Sequence, residues 1–253
     1  MPLRHRCSLA PASERVRMYS PIVFDYWLPT YEREPAFDAL YVVRVAESLP
    51  TNTAVTLLDV AVGPSIVSLV TSFAERLDFT DGQRISSEQL SSELDAAGVA
   101  LNGADRLFYL PRQAQDALRA EVTPKTTRQL TEADAAEFEK FTAAIPDSEL
   151  DEAFVELDHW LVYGTFADDR LVAASSMYPW RGSQLADLGI ITLPGYRGRG
   201  FATQTVRAIS ARALADGYEP QYRCQLDNDG SSAVALAAGF TLFGEWDVVP
   251  LND

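Results

Sequence analysis

The sequence predicts an α/β (α+β) protein with a mixed central sheet, preceded by a smaller α/β domain. Short β-rich runs alternate with amphipathic segments along the 253 residues, and turn residues separate them. With 47% hydrophobic residues, a chain of this length can bury a substantial core. We predict a basic, disordered tail (1–18), an N-terminal α/β domain (19–122) and a larger C-terminal domain (123–253).

The first block of elements lies before a break near residues 120–126. Its predicted elements are strands or buried segments at 39–49 and 54–62, a helix with apolar residues at helical spacing at 65–77, a capped helix at 86–98 and a strand at 103–111. No motif in this block carries recognisable chemistry. We expect the block to be either a degenerate copy of the second domain or a lid over its cleft.

The second block is more regular. Its predicted elements are a strand at 126–130, a helix at 131–141 capped by Thr131, a helix at 148–157, a hairpin at 160–180 that turns at Asp168-Asp169, a strand at 184–194, a helix at 201–216, a strand at 220–226, a serine-capped helix at 231–240 and a final strand at 241–251.

The composition excludes several function classes. The formal charge of −15 argues against a nucleic-acid partner, because phosphates need a basic surface. No apolar run approaches the roughly 18–20 residues of a membrane span, so we expect no membrane partner. Two cysteines (Cys7, Cys224) and two histidines (His5, His159) are too few for a disulfide framework or a metal cluster. We therefore expect no metal and a cytoplasmic location.

Residues 193–204, LPGYRGRGFATQ, place three glycines and two arginines between a predicted strand and a predicted helix. The glycine order G-x-x-G-x-G differs from the dinucleotide fingerprint, and the Gly-Lys-Ser/Thr of a phosphate loop is absent. An Arg-Gly nucleic-acid segment would be longer and lie in a basic chain. Two interpretations remain: a plain tight turn with solvated arginines, or an anion site in which N–H groups of the helix start bind a pyrophosphate.

Two motifs at a suitable separation favour the anion site. Residues 197–202 (RGRGFA) fit R/Q-x-x-G-x-G/A, and residues 228–240 (NDGSSAVALAAGF) fit N-x-x-S/A followed by a short helix and Gly-Phe. The first motif follows the fourth strand of the second block and opens its third helix. Residues 126–251 therefore resemble the GNAT N-acetyltransferase superfamily, whose fold has a mixed, splayed sheet. The resemblance leaves residues 19–122 unexplained.

The resemblance implies acetyl-CoA as cosubstrate, inserted between the fourth and fifth strands of that fold. Backbone groups of the fourth strand would hold the acyl carbonyl and the pantetheine arm. Backbone N–H groups from Arg197 to Thr203 would bind the pyrophosphate, and Asn228 and Ser231 would lie near the pantetheine and phosphate chain. The implied cofactor-binding residues are Ile190, Ile191, Thr192, Arg197, Gly198, Arg199, Gly200, Phe201, Ala202, Thr203, Asn228 and Ser231. An acceptor amine would then attack the thioester directly.

Catalysis must mainly remove a proton from the amine. A lysine-like amine with a pKa near 10.4 is neutral in roughly one molecule of 2,500 at pH 7, which costs about 4.6 kcal/mol. Release of a thiol with a pKa near 8.5 as thiolate costs only about 2 kcal/mol. A base, acting directly or through water, is therefore the group to seek.

Asp187 on the fourth strand is the candidate base, although a solvated strand-end aspartate explains it equally well. His159 is a weaker candidate. Many family members carry a tyrosine as general acid seven residues after the asparagine, where this chain has Ala235. Tyr222 is therefore the candidate acid, and Tyr178 is an alternative.

The expected activity is transfer of an acetyl group to a primary amine of a small molecule or peptide. Residues 132–158 contain ten acidic side chains, so we expect an acceptor that carries positive charge, although an exposed acidic face is an equally simple explanation. The alternative function is a non-catalytic acyl-CoA-binding regulator that kept the cofactor groove and lost the acid.

Overall fold

The computed structural model describes residues 18–28, 40–49, 53–61 and 65–250, so most of the predicted tail lies outside the described residues. The helices and strands are, in chain order, α1 (Pro21–Trp27), β1 (Leu40–Ala46), β2 (Thr53–Val60), β3 (Ser65–Val70), α2 (Thr71–Arg76), β4 (Arg84–Ser86), α3 (Ser87–Ala96), β5 (Asp105–Tyr109), α4 (Arg112–Arg119), β6 (Thr127–Gln129), α5 (Ala135–Thr142), α6 (Asp147–Ala153), β7 (Leu161–Ala167), β8 (Arg170–Pro179), β9 (Leu185–Thr192), α7 (Phe201–Ala215), β10 (Glu219–Gln225), α8 (Asp229–Ala238) and β11 (Thr241–Pro250). Single 3₁₀ turns occupy Glu132–Asp134, Trp180–Gly182 and Pro194–Tyr196.

In the described part of the chain these strands form one open sheet. Their order is β4-β1-β3-β2-β11-β5-β10-β9-β8-β7-β6, with β4 and β6 at the edges. The pairs β1/β3 and β9/β10 are parallel and the remaining pairs are antiparallel. The predicted α+β class with a mixed sheet is confirmed.

The sheet continues across the predicted boundary between residues 122 and 123. Strand β11 pairs with β2, and β5 lies between β10 and β11 and pairs with both. A strand from the first block is therefore part of the sheet of the second block. The division into domains at 19–122 and 123–253 stays a prediction.

Local signals in the sequence place several elements correctly. Thr131 and Asp134 form a reciprocal capping box at the start of the 3₁₀ turn that leads into α5. The β7–β8 hairpin turns at Asp168 and Asp169, whose φ angles of 50° and 60° match a two-residue hairpin turn. The Ser86 hydroxyl accepts a hydrogen bond from the N–H of Gln89 and caps α3.

Three predicted elements are wrong in detail. Residues 65–70 are strand rather than helix, because their apolar side chains are buried in a strand that pairs with β1 and β2. The helix predicted at 148–157 ends at Ala153, since Phe154 adopts a left-handed conformation (φ 47°) that an α-helix cannot continue. The cap of α8 is Asn228 rather than a serine.

Helices cover both faces of the sheet around β8, β9 and β10. The face toward α7 and α8 packs a core that includes Leu188, Val206, Tyr222 and Phe240. The opposite face carries α5 and α6 over a second core that includes Ile191. No helix in the described residues has the length and apolar character needed to cross a membrane.

Candidate active site

The centre of the site is a fork between β9 and β10. These parallel strands pair only as far as the register Leu188–Tyr222. Beyond it, β9 stays paired with β8 as far as Thr192, and β10 stays paired with β5 as far as Gln225. Each strand follows its outer neighbour, so the two separate and leave backbone groups free between them. The predicted splay of the sheet is present at this point.

The glycine-rich loop leads from the end of β9 into α7. Gly198 and Gly200 have φ angles of 71° and 83°, which L side chains rarely adopt, and Gly200 is the N-cap of α7. None of the backbone contacts described for this segment occupies the N–H groups of residues 198–203. These donors, together with the positive end of the helix dipole, are arranged to bind an anion.

The two arginines of the loop have different roles. The Arg197 side chain pairs with the carboxylate of Glu149 on α6, and its Nε donates to the carbonyl of Thr192 at 3.2 Å. The Arg199 guanidinium lies over the rings of Tyr196 and Phe201, 5.2 Å from each centroid. Arg197 therefore stands at the mouth of the fork, whereas Arg199 is engaged by aromatic rings.

The start of α8 forms the other wall of the fork. The Asn228 side-chain oxygen accepts a hydrogen bond from the N–H of Ser231 at 2.9 Å and caps the helix. Its amide nitrogen donates to the carboxylate of Glu152 on α6, also at 2.9 Å. The hydroxyl groups of Ser231 and Tyr222 lie 2.9 Å apart. Helix α6 thus contacts both walls, through Arg197 and through Asn228.

A cleft of about 1080 Å³ runs through the fork. It is lined by both predicted catalytic residues, Asp187 and Tyr222, and by all of the predicted cofactor-binding residues except Arg199. The Thr192 hydroxyl on the cleft wall is buried and has no hydrogen-bond partner among the described residues. The structure therefore brings these predicted residues together around one cavity, and their roles stay predictions.

Strand alternation separates the two predicted catalytic residues. Asp187 points to the face that carries α6, because the regular β8–β9 register places it on the same side as Gly189 and Ile191. Tyr222 points to the face that carries α7 and α8 and packs in that core. The fork opens to both faces, so both side chains reach the cleft from opposite sides.

Asp187 lies in a dense hydrogen-bond network. Its carboxylate accepts bonds from Gln221 Nε2 (2.7 Å), from Arg223 Nε and Nη2 (both 2.9 Å) and from the Tyr178 hydroxyl (3.0 Å). Only 6% of its side chain is exposed. The Arg223 guanidinium also donates from Nη1 to Asp105 on β5 at 2.7 Å. Both oxygens of Asp187 are thus occupied by protein donors.

The neighbouring hydroxyls are held in the neutral form. Burial, and next the negative charge of Asp187, raise the pKa of Tyr178 to about 12. Burial also raises the pKa of Tyr222 well above its ordinary value, although the Ser231 hydrogen bond opposes the shift. His159 does not line the cleft; its Nδ1 lies 2.7 Å from the buried Ser176 hydroxyl, and its ring packs against Phe154 and Tyr178.

Helix α6 approaches β9 very closely. A Cβ atom on Gly189 would lie 1.9 Å from the backbone oxygen of Ala153, so only glycine fits at this point of the strand. Phe154, which follows, is half-exposed and lines the cleft with Glu149, Asp151 and Glu152. The acidic helix therefore forms one wall of the cleft.

Sequence reasoning missed two charged residues that line the cleft. Arg223 is a charge inside β10, a largely buried strand, and Asp105 opens β5 in the first block. A buried charge in a strand usually has a partner, so Arg223 was a usable signal. Asp105 had no such signal, because its proximity to Arg223 depends on how β5 inserts between β10 and β11.

Residues 127–240 match the model of the family described as "Acetyltransferase (GNAT) family". No curated protein matches the chain. The matched segment contains the fork, the glycine-rich loop and the start of α8.

Several solved structures are similar in fold. One is a putative GNAT-family acetyltransferase from Novosphingobium aromaticivorans, with 19% identity over 60% of this chain and 66% of that chain and a TM-score of 0.43. Another is a GNAT-family acetyltransferase from Colwellia psychrerythraea (16% identity, 65% and 63% covered, TM-score 0.47). A third is the aminoglycoside 6'-N-acetyltransferase AAC(6')-Ig from Acinetobacter haemolyticus, with 21% identity over 46% of this chain and 91% of that chain and a TM-score of 0.35. The chain spans just under two thirds of the length of the first two.

Proposed function

We propose that the protein is an acetyltransferase of the GNAT family, whose model matches residues 127–240, and that it transfers an acetyl group from acetyl-CoA to a primary amine. The observation that carries the proposal is the forked cleft with unoccupied N–H donors at the start of α7. Acetyltransferases of this family use acetyl-CoA, which supplies the acetyl group as an activated thioester.

The residues of the fork fit acetyl-CoA. The N–H groups of residues 198–203 and the Arg197 guanidinium would hold the pyrophosphate through charge-assisted hydrogen bonds. Backbone groups of residues 190–192, freed by the separation of β9 from β10, would hold the pantetheine arm. Asn228 and Ser231 would border it from the other wall. Arg199, engaged by two rings, would contribute less than its position in the motif implies.

The charge of the cleft supports a cationic acceptor. Five carboxylates line it, from Asp105, Glu149, Asp151, Glu152 and Asp187, against two guanidinium groups. This negative excess would raise the local concentration of a protonated amine. We therefore propose that the acceptor is a small molecule or peptide whose primary amine is protonated in solution.

Tyr222 is positioned to serve as the acid. Its hydroxyl lies at the fork beside Ser231, and burial keeps it protonated, so it can donate a hydrogen bond to the sulfur as the C–S bond breaks. Asp187 is less suited to serve as the base, because donors from Tyr178, Gln221 and Arg223 already occupy both of its oxygens.

Binding and turnover measurements test the proposal separately. We expect acetyl-CoA to bind in calorimetry and thiol to be released with at least one amine of a panel of polyamines, aminoglycosides, amino acids and peptides. Tight binding without thiol release across the whole panel would favour the non-catalytic acyl-CoA-binding regulator. Absence of binding would contradict both functions.

A matched pair of variants tests the cofactor site. Gly200 and Gly217 flank the two ends of α7, have φ angles of 83° and 86°, and have open space at the Cβ position. Replacing either with glutamate gives similar backbone strain, but only Gly200→Glu places a negative charge among the N–H donors. We expect Gly200→Glu to abolish acetyl-CoA binding and Gly217→Glu to keep it. Equal affinities in the two variants would contradict the assignment of the site.

A further inference from the structure

A row of polar side chains crosses four neighbouring strands on the α6 face of the sheet. Tyr178 on β8 donates to Asp187 on β9, and Arg223 on β10 donates both to Asp187 and to Asp105 on β5. All four residues line the cleft. The row ends in a carboxylate that comes from outside the segment 127–240.

Asp105 and Asp187 differ in their access to a substrate. Donors occupy both oxygens of Asp187, and its side chain is 6% exposed. Asp105 has one oxygen, Oδ2, bonded to Arg223 Nη1, while its Oδ1 accepts no hydrogen bond from the described residues. The Asp105 side chain is 24% exposed. A ligand N–H in the cleft can therefore reach a free carboxylate oxygen at Asp105.

Asp105 lies where the fork between β9 and β10 opens. Arg223 directly follows Tyr222, the last residue of β10 paired with β9, so its guanidinium stands where the fork opens. The Asp105 carboxylate is 2.7 Å from this guanidinium. Strand β5 holds Asp105 there through its pairing with both β10 and β11.

The chemical environment suits a proton acceptor. Burial raises the pKa of Asp105 above its ordinary value, and the positive charge of Arg223 opposes this shift only in part. A carboxylate with a raised pKa binds a proton more readily, and Arg223 keeps it oriented. The Asp187 charge, two strands away, adds to the rise.

We propose that Asp105 is the general base of the transfer reaction, with its Oδ1 binding the acceptor ammonium and taking its proton. This inference rests on the proposed function. The ammonium gives one proton to Asp105, and the nitrogen lone pair then forms the C–N bond to the thioester carbon. The C–S bond breaks, and its electron pair leaves with sulfur. The second amine proton ends on the CoA thiol, and Asp105 releases its proton to solvent.

The assignment gives the first block a catalytic role. In this view β5 is part of the active site, because it supplies the general base of the reaction. The segment 127–240 alone would hold acetyl-CoA and lack its base.

The test is the variant Asp105→Asn in the full-length protein, compared with Asp187→Asn, which makes the same charge change on the other side of Arg223. The asparagine oxygen can keep the bond to Arg223, so we expect acetyl-CoA affinity and the melting temperature to stay close to wild type. We expect kcat to fall by about 10²–10⁴-fold. We also expect the rise of kcat with pH to disappear in Asp105→Asn and to remain in Asp187→Asn.

Chemical rescue gives a readout that a structural role would not change. Formate added to Asp105→Ala should restore part of the lost kcat, because it can occupy the vacated carboxylate site, and should leave wild type unaffected. If kcat of Asp105→Asn stayed within about threefold of wild type and still rose with pH, the assignment of Asp105 would be overturned and the proposed function would still stand. A wild-type protein that transfers acetyl to no amine would overturn both.

Discussion

Gly189→Ala tests whether the close contact between α6 and β9 is as tight as the structure indicates. The added Cβ would lie 1.9 Å from Ala153 O and 3.1 Å from Val155 Cγ2, whereas ordinary contacts begin near 3.4 Å. The end of α6 must therefore move by about 1.5 Å, since the obstacle is a backbone oxygen that no side-chain rotation can remove. The strand has less freedom to move, because Gly189 is paired with Ser176 on β8 and directly follows the last residue of β9 that is paired with β10.

The expected cost follows from overpacking. Forcing an extra methyl group into a packed site destabilises a protein by about 1–3 kcal/mol. For a chain of this size, each kcal/mol lowers the melting temperature by about 2–4 °C. Thermal unfolding followed by far-ultraviolet circular dichroism should therefore show a decrease of about 2–12 °C. The displacement should also weaken the contacts of α6 with Arg197 and Asn228.

Gly195→Ala is the matched control. Gly195 lies between β9 and α7, nothing is within 4 Å of its Cβ position, and its φ is outside the left-handed region. This variant should melt close to wild type or slightly above it, because alanine restricts the unfolded chain. If Gly189→Ala melted within about 1 °C of wild type, the inferred contact between α6 and β9 would be wrong.

Two further predictions concern the acidic wall of the cleft. Glu149→Gln removes the ion pair with Arg197 and should tighten acetyl-CoA binding about 1.4- to 5-fold in calorimetry, since partly exposed pairs contribute about 0.2–1 kcal/mol. Asp151→Asn removes the same charge from the same helix without breaking an ion pair described in the structure. If it tightened acetyl-CoA binding equally, the cause would be the lower negative charge of the cleft and not the release of Arg197. Reversing Asp151 and Glu152 to lysine should raise KM for a cationic amine at least severalfold, whereas reversing Glu132 and Glu139, which lie outside the cleft lining, should leave it nearly unchanged. An unchanged KM in the first pair would end the proposal of a cationic acceptor.

Contiguous residues made the cofactor side of the site predictable. The two glycines with positive φ, the start of α7 and the Asn228 cap lie within short segments, so their geometry depends mainly on neighbouring residues. The same holds for the Asp168-Asp169 turn and the Thr131 capping box. Residues 65–70 show where local pattern fails. A run of apolar residues fits either a buried strand or a buried helix, and pairing with β1 and β2 decided between them.

The sequence by itself therefore determined the fold class, the position of the glycine-rich loop and part of the lining of the fork, without Asp105 or Arg223. Only the tertiary structure decided that β5 lies between β10 and β11, and that Asp105 meets Arg223 across 118 positions of sequence. Strand order is set by contacts between distant segments, and no local propensity encodes it. For the same reason the occupancy of both Asp187 oxygens became visible only when β8, β9 and β10 were side by side.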